Sequence, residues 1–263
     1  MLREIGHDDV VELHGSTRAS RLGGYAVSAY VVRDVLIDTG FPRIGAALDA
    51  WRQQRAPLRG VVLTHWHEDH AGNVERVARA GLPIDASDAT LAPLRTPAAL
   101  AAYRRFTWGS PLPLRTTVTP FADPSLERIA TPGHSADHHV VWDHETGTVF
   151  GGDLFIGIKV RIAHHDEDHR ATIASLRAIA RRAPARYFDA HRGLVTDPVR
   201  ALHAKADWME ATVSEIERRV HAGESDDRVR RAVLGREDAT GLSSFGEYSK
   251  RSYVEAVRRR MTR

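Results

Sequence analysis

The run His65-Trp66-His67-Glu68-Asp69-His70 places three imidazoles and the Asp69 carboxylate within six residues. Such side chains are poor core material, because a buried polar group without a partner costs free energy. They are good ligands, since neutral imidazole and carboxylate suit zinc and related divalent ions. Cysteine is absent. That excludes disulfides, thiolate zinc ligands, cysteine nucleophiles and cysteine-held iron–sulfur clusters together. Any metal here must be held by nitrogen and oxygen.

The elements around this run follow from local pattern. Gly60–Thr64 is a short β-branched apolar run and predicts a buried strand ending at the histidines. Val74, Val77 and Ala78 space a helix that closes at Gly81. Upstream, Tyr25–Val32 and Val35–Asp38 predict two strands joined at Arg33-Asp34, the second ending in Asp38-Thr39-Gly40. Ile44, Leu48 and Trp51 predict a helix ending before Pro57. Between Ala89 and Pro120 five prolines interrupt any strand alternation. Thr96-Pro97 reads there as a helix start, with an N-cap followed by proline, in a helical flap over an active-site face.

Downstream, Glu127–Ala130 predicts a strand running into Thr131-Pro132-Gly133-His134-Ser135. Asp137–Trp142 and Thr148–Gly151 predict a hairpin whose second strand finishes at Gly152-Asp153. A helix through Ile173, Leu176 and Ile179 leads to a last strand, Arg186–Asp189, before His191. Thus Asp38, His65–His70, Asp153 and His191 each end a predicted strand, and His134 sits in a loop after one. Side chains projected from like ends of several strands converge at one edge of a sheet core, where α/β folds build sites. From Pro198 onward no strand is expected. Val199, Leu202, Ala206, Met209, Val213, Ile216 and Val220 form a long helical stripe that Gly223 ends, with shorter helices around Val229–Leu234 and Tyr248–Met261. The stripe is expected to dock on the rest of the chain, a homodimer seam being the alternative.

The ordered set H-x-H-x-D-H at 65–70, T-P-G-H-S at 131–135, G-G-D at 151–153 and His191, with D-T-G at 38–40 before it, resembles the metallo-β-lactamase superfamily. The resemblance implies an α/β (α+β) chain: an αββα sandwich of two mixed β-sheets flanked by helices. Residues 1–197 would form that domain and 198–263 a helical C-terminal region packed on it. Carried over position by position, His65, His67 and His134 hold a first metal. Asp69, His70 and His191 hold a second, and Asp153 bridges the two. Two Zn2+ per chain are implied, with manganese or iron as alternatives. Asp38 is either a turn residue beside Thr39-Gly40 or, by the resemblance, a carboxylate orienting a metal-bound histidine. His164-His165-Asp166-Glu167-Asp168-His169 reads as a solvated loop closed by an aspartate N-cap. His138 and His139 point to opposite faces, and neither is required by the metals.

The implied chemistry is hydrolysis by a metal-bridging hydroxide, cleaving an ester, thioester, lactone or phosphodiester bond, with Asp69 and Asp153 as the catalytic carboxylates. The His-Trp-His-x-Asp-His form and the helical C-terminal region look closest to the lactamase-beta-like hydrolase branch. Glyoxalase II is similar at the ligands, but its C-terminal glutathione-binding basic motif is not found. The alternatives are an iron-dependent sulfur dioxygenase on the same fold, an endoribonuclease acting on single-stranded RNA, and a non-catalytic role.

Composition bounds the partners. Of 263 residues, 42% are hydrophobic and 27% charged, ordinary for a soluble globular chain. No apolar stretch is long enough for a membrane span. Acidic residues stand where a signal peptide would need an apolar core, so a cytoplasmic protein is expected. Formal net charge is +3. Residues 216–263 hold twelve Arg/Lys against eight Asp/Glu, a net of +4. A small-molecule substrate is the expected partner. Nucleic acid binding through the basic C-terminal region is the alternative to a plain solvated helix surface.

Overall fold

Six strands form the larger sheet of the computed structural model, which describes residues 1–262. They are β1 (Leu2–His7), β2 (Val10–Gly15), β3 (Val27–Val32), β4 (Val35–Ile37), β5 (Gly60–Val62) and β6 (Ile84–Asp85), adjacent in chain order. The pairing is antiparallel from β1 to β4 and parallel from β4 to β6. The β3–β4 hairpin turns on Arg33 and Asp34, with φ of 46° and 60°. Two successive left-handed residues match the twist of paired strands. The short α1 (Arg18–Leu22) separates β2 from β3. The parallel crossovers need helices, supplied by a 3-10 turn (Pro42–Ile44), α2 (Gly45–Gln53) and α3 (Val74–Arg79).

The segment expected to form a flap carries two helices, α4 (Asp88–Arg95) and α5 (Ala102–Thr107). The start expected at Thr96-Pro97 is instead an end. Ser87 caps α4 by accepting the Thr90 N–H, and Thr96 is its C-cap, out of helical geometry at φ −132° and ψ 69°. Pro97 is the physical reason, because proline pushes the residue before it out of helical geometry.

The second sheet is made of β7 (Leu126–Ala130), β8 (His139–Asp143), β9 (Thr148–Phe150) and, past the short β10 (Ala163–His164), β11 (Arg186–Asp189) and β12 (Gly193–Leu194). Its order is β12-β11-β9-β8-β7, with β9 and β11 parallel. The chain divides into two compact units. The first takes Met1–Ala130, Asp137–Asp153 and Ala185–Val195, and so holds both large sheets. Between them lies a core of Val10, Tyr30, Val32, Ile37, Val62, Val141, Phe150 and Phe188. The opposite face of the first sheet offers Leu13, Leu36, Val61 and Leu63 to Leu48 of α2 and Val74 and Val77 of α3. Each such side chain contributes about 1.5–3 kcal/mol on full burial.

The second unit takes Thr131–Ala136, Leu154–Pro184 and the chain from Thr196 onward. Its helices are α6 (His169–Arg181), α7 (Pro198–His221), α8 (Asp226–Val233), α9 (Ala239–Ser243) and α10 (Lys250–Met261). The expected stripe lies on α7, where Leu202, Ala206, Met209, Val213 and Ile216 are buried. α7 packs against α6, α8 and α10. One late strand escaped the sequence pattern: β13 (Tyr248–Ser249) pairs antiparallel with β10. Among the described residues no helix is long and apolar enough to cross a membrane.

Candidate metal centre

The first unit brings Asp38, His65, His67, Asp69, His70, Asp153 and His191 to neighbouring strand ends. Asp38 follows β4 in the left-handed region, φ 61°, a conformation aspartate tolerates better than most residues. Its Oδ1 accepts the Thr64 N–H at 2.8 Å, and its Oδ2 accepts the Thr64 hydroxyl at 2.8 Å. Oδ2 also meets His70 Nδ1 at 2.9 Å. His70 therefore donates through Nδ1 and turns its Nε2 to the centre. Asp38 thus takes the left-handed position of the turn and hydrogen-bonds His70 with the same carboxylate.

Thr64 extends the same logic. Its hydroxyl hydrogen is committed to Asp38, so at 3.0 Å it accepts from His65 Nδ1. That leaves His65 Nε2, 3.0 Å from His67 Nδ1, as the nitrogen for a metal. The loop is wound by bonds to the His67 carbonyl from the N–H groups of His70 and Ala71, at 3.0 and 2.8 Å. It is anchored by Asp137 Oδ2, which accepts the Trp66 N–H at 3.0 Å.

Asp153 enters from the end of β9 across Gly152. That glycine has φ 49°, and an added Cβ would lie 2.8 Å from His138 Nε2. His138 Nε2 accepts the Asp153 N–H at 3.0 Å. Asp153 Oδ1 then lies 3.0 Å from His70 Nε2 and 3.1 Å from His191 Nε2. Asp69 Oδ2 is 4.0 Å and 3.8 Å from the same two nitrogens. His191 is held by its Nδ1 to the Ala26 carbonyl at 2.9 Å, and by its N–H to Asp189 at 2.8 Å.

The electrostatics favour a positive charge beside the carboxylates. Burial lowers the basicity of His65, and the neighbouring imidazoles of His70 and His67 add to it. Burial opposes charge on His70 and His191 too, but there the carboxylates of Asp153 and Asp69 prevail. They draw His70 well above the ordinary histidine range and His191 up to about 9. Carboxylates that pull protons onto buried imidazoles offer the same attraction to a divalent ion. The donor set fits one. Ligands about 2.0–2.2 Å from a zinc ion stand roughly 3–4 Å from one another, and the separations above run from 3.0 to 4.0 Å.

His134 belongs to the second unit, on the loop before β8. Gly133, with φ 145°, packs where a Cβ would meet Thr172, and its carbonyl accepts the Asp168 N–H at 2.7 Å. His134 Nδ1 faces Glu167 Oε1 at 3.7 Å. Asp168 caps α6 through the Ala171 N–H, as expected.

Three contributors escape sequence reasoning. His138 reads as an ordinary strand residue yet is buried against Asp153. Asp137 holds the histidine loop. Glu68, within the motif, is buried and pairs with Arg104 of α5 at 2.6 and 2.5 Å. The Asp137-His138 pair, starting three residues past His134, is the available signal for the first two.

A chain with these sheets and these strand-end histidines and carboxylates belongs to the metallo-beta-lactamase superfamily, whose model matches residues 22–191. Members of that superfamily are generally metal-dependent hydrolases. The beta-lactamase-like protein 2 homolog of Drosophila melanogaster is 29% identical over 180 residues, 64% of this chain and 57% of that one. The thioesterase pkgB of Emericella nidulans is 30% identical over 172 residues, 63% and 44% of the two chains. The chain spans about half the length of the curated relatives it matches. Among solved structures, a metallo-beta-lactamase family protein from Thermus thermophilus matches with TM-score 0.69 at 15% identity, covering 97% of this chain and 95% of that one. A metallo-beta-lactamase from Pontibacter korlensis matches with TM-score 0.62 at 21% identity, covering 80% and 99%. These likenesses show the mixed α/β sandwich fold that the motifs implied.

Proposed function

We propose that the protein is a dinuclear metal-dependent hydrolase of a small-molecule ester or thioester. The observation that carries this is the convergence of His70 Nε2 and His191 Nε2 on Asp153 Oδ1, with Asp69 Oδ2 facing the same two nitrogens and His65 and His67 on the adjoining turn. In this reading His65, His67 and, by its motif position, His134 would hold one ion, Asp69, His70 and His191 would hold the other, and Asp153 would be shared between them. Two bound divalent ions would supply Lewis acidity and bring the pKa of water down toward ~7.

The chain's own groups do the rest. Asp153 offsets the repulsion between two cations, and His138 fixes its backbone. Asp69, partly exposed at the same centre, accepts a hydrogen bond from the attacking water and aims it. Asp38 keeps His70 in the tautomer that ligates. Zinc is the metal this nitrogen–oxygen set suits, with manganese and iron as outcomes of the same assay.

Among the bonds that such a site cleaves, the thioester is favoured by the relative named a thioesterase. Residues 1–197 are proposed to carry the centre and 198–263 to form a helical appendage, in a cytoplasmic protein. A panel of ester, thioester, lactone and phosphodiester substrates, assayed with zinc and with manganese, tests the reading. Turnover of an acyl thioester above the phosphodiester is expected. Oxygen consumption with about one iron per chain and no hydrolysis would replace it with the sulfur dioxygenase reading.

A further inference from the structure

We propose that His164, His165 and Asp166 form a separate binding site for a divalent transition-metal ion such as zinc, outside the centre described above. His164 ends β10, and the next two residues make the turn that leads to α6. His164 Nδ1 is 3.6 Å from Asp166 Oδ2, and His165 Nε2 is 3.5 Å from Asp166 Oδ1. The two imidazole centroids are 4.2 Å apart. One ligand atom from each of the three residues lies within 4.8 Å of the others. Tetrahedral zinc with bonds of about 2.0–2.2 Å sets its ligands roughly 3.3–3.6 Å apart. Each imidazole–carboxylate gap lies in that range, His164 to Oδ2 and His165 to Oδ1, so Asp166 would bind through both oxygens or turn to present one.

The protonation pattern is also suitable. The Asp166 N–H points at His164 Nδ1 from 3.3 Å, so this nitrogen presents a lone pair on the carboxylate side. A bond of that length is weak, and an ion replacing it gives up little. The carboxylate is already fixed from outside. Arg259 of α10 donates from Nη1 to Asp166 Oδ1 at 2.6 Å and from Nη2 to the His165 carbonyl. Ligand carboxylates are commonly steadied by such a partner on one oxygen, and Oδ2 is the oxygen turned toward His164. Against the two guanidiniums of Arg259 and Arg260 the turn sets three carboxylates, Asp166, Glu167 and Asp168. His165 and Asp166 are open to solvent, with side chains 52% and 66% exposed. Three protein ligands and one outward position make an accessible site rather than a closed structural one.

The ion would stiffen the turn that supports His134. Glu167 Oε1 accepts the His164 N–H at 3.0 Å and faces His134 Nδ1, while the Asp168 N–H holds the Gly133 carbonyl. This coupling rests on the assignment of His134 to the first metal; the binding of the ion does not.

The full chain, loaded with its resident metals, is dialysed against buffered Zn2+ alone and its metal counted by mass spectrometry. Wild type is expected to hold one zinc more per chain than His165→Ala and Asp166→Asn, and Asp153→Ala is expected to keep that extra ion. Far-ultraviolet circular dichroism checks that the two turn variants stay folded. Equal zinc uptake by wild type and both turn variants at every buffered concentration would overturn the proposal, as would an extra ion lost in Asp153→Ala and kept in the turn variants.

Discussion

Glu68 and Arg104 form a two-pronged ion pair, Nε to Oε1 at 2.6 Å and Nη2 to Oε2 at 2.5 Å, with side chains only 2% and 12% exposed. The pair fastens α5 to the residue beside Asp69. Burial raises the Glu68 carboxyl, and the charge of Asp69 adds to that; Arg104 opposes both. A buried carboxylate stripped of its partner costs about 3–5 kcal/mol, whereas apolar replacement of both partners is often near neutral. Arg104→Ala should therefore lower unfolding stability by about that amount, and Glu68→Met with Arg104→Met should recover most of it. Urea denaturation of the two variants measures the difference. Equal losses would mean that the pair contributes packing rather than charge compensation.

Asp38 touches the proposed metal ligands at second hand, through His70 directly and through the Thr64 hydroxyl to His65. In Asp38→Asn the left-handed turn is kept, since asparagine also tolerates it, but the charge behind His70 is lost. Metal affinity should fall about 10–100-fold while the far-ultraviolet spectrum is unchanged. Competition with a chelator of known affinity reads the shift, and unaltered affinity would confine Asp38 to the turn.

His138 is the acceptor for the backbone N–H of Asp153. His138→Phe leaves that buried donor without an acceptor, at a cost of about 1–3 kcal/mol, and should loosen metal binding as Asp153 drifts. His138→Gln, which can still accept, should retain more of both. Thermal unfolding with parallel metal counting separates the two variants. If glutamine does no better than phenylalanine, the hydrogen bond is not what positions Asp153.

His169 gives the protein an acid limb of stability independent of the metal centre. It stacks on Tyr253 at 3.9 Å, and burial depresses its pKa from 6.5 to about 4, with Asp168 opposing and Lys205 reinforcing. A histidine depressed in the folded state contributes stability that is present above about pH 6.5 and lost as pH falls toward 4. The full shift corresponds to about 3 kcal/mol. His169→Phe keeps a ring against Tyr253 and removes the titration. Urea midpoints from pH 7.5 to 4.5 should fall less steeply in the variant, and parallel slopes would show that another group sets the acid limit.

The sequence pattern reaches those parts of the molecule that short-range physics determines. The strands just before Asp38, Thr64 and Gly152-Asp153 follow from short apolar runs rich in β-branched residues, and the one ending at Asp189 from Tyr187-Phe188 stopped by a polar residue. The α7 stripe follows from three- and four-residue spacing. Where pairing joins distant residues, pattern is silent. Arg104 meets Glu68 across 36 residues, and nothing near either position announces it. β13 is two residues long, too short for alternation to register. His138 looks like a strand residue, because its hydrogen bond to Asp153 depends on how β8 and β9 lie together. Thr96-Pro97 misleads because proline permits a helix start and enforces a helix end with equal ease.

The central claim, a two-ion hydrolytic centre hung on Asp153, is tested most directly by counting metal and measuring ester and thioester hydrolysis on the same samples of wild type and Asp153→Ala. The account predicts two metal ions in the centre of the wild-type chain, counted as the ions retained by His165→Ala, together with hydrolysis. In Asp153→Ala it predicts loss of centre-bound metal and of at least ~100-fold in turnover, each factor of ten being about 1.36 kcal/mol of transition-state stabilisation, with the fold intact. Wild-type turnover in Asp153→Ala, or a hydrolytically active wild type without stoichiometric metal, would contradict it.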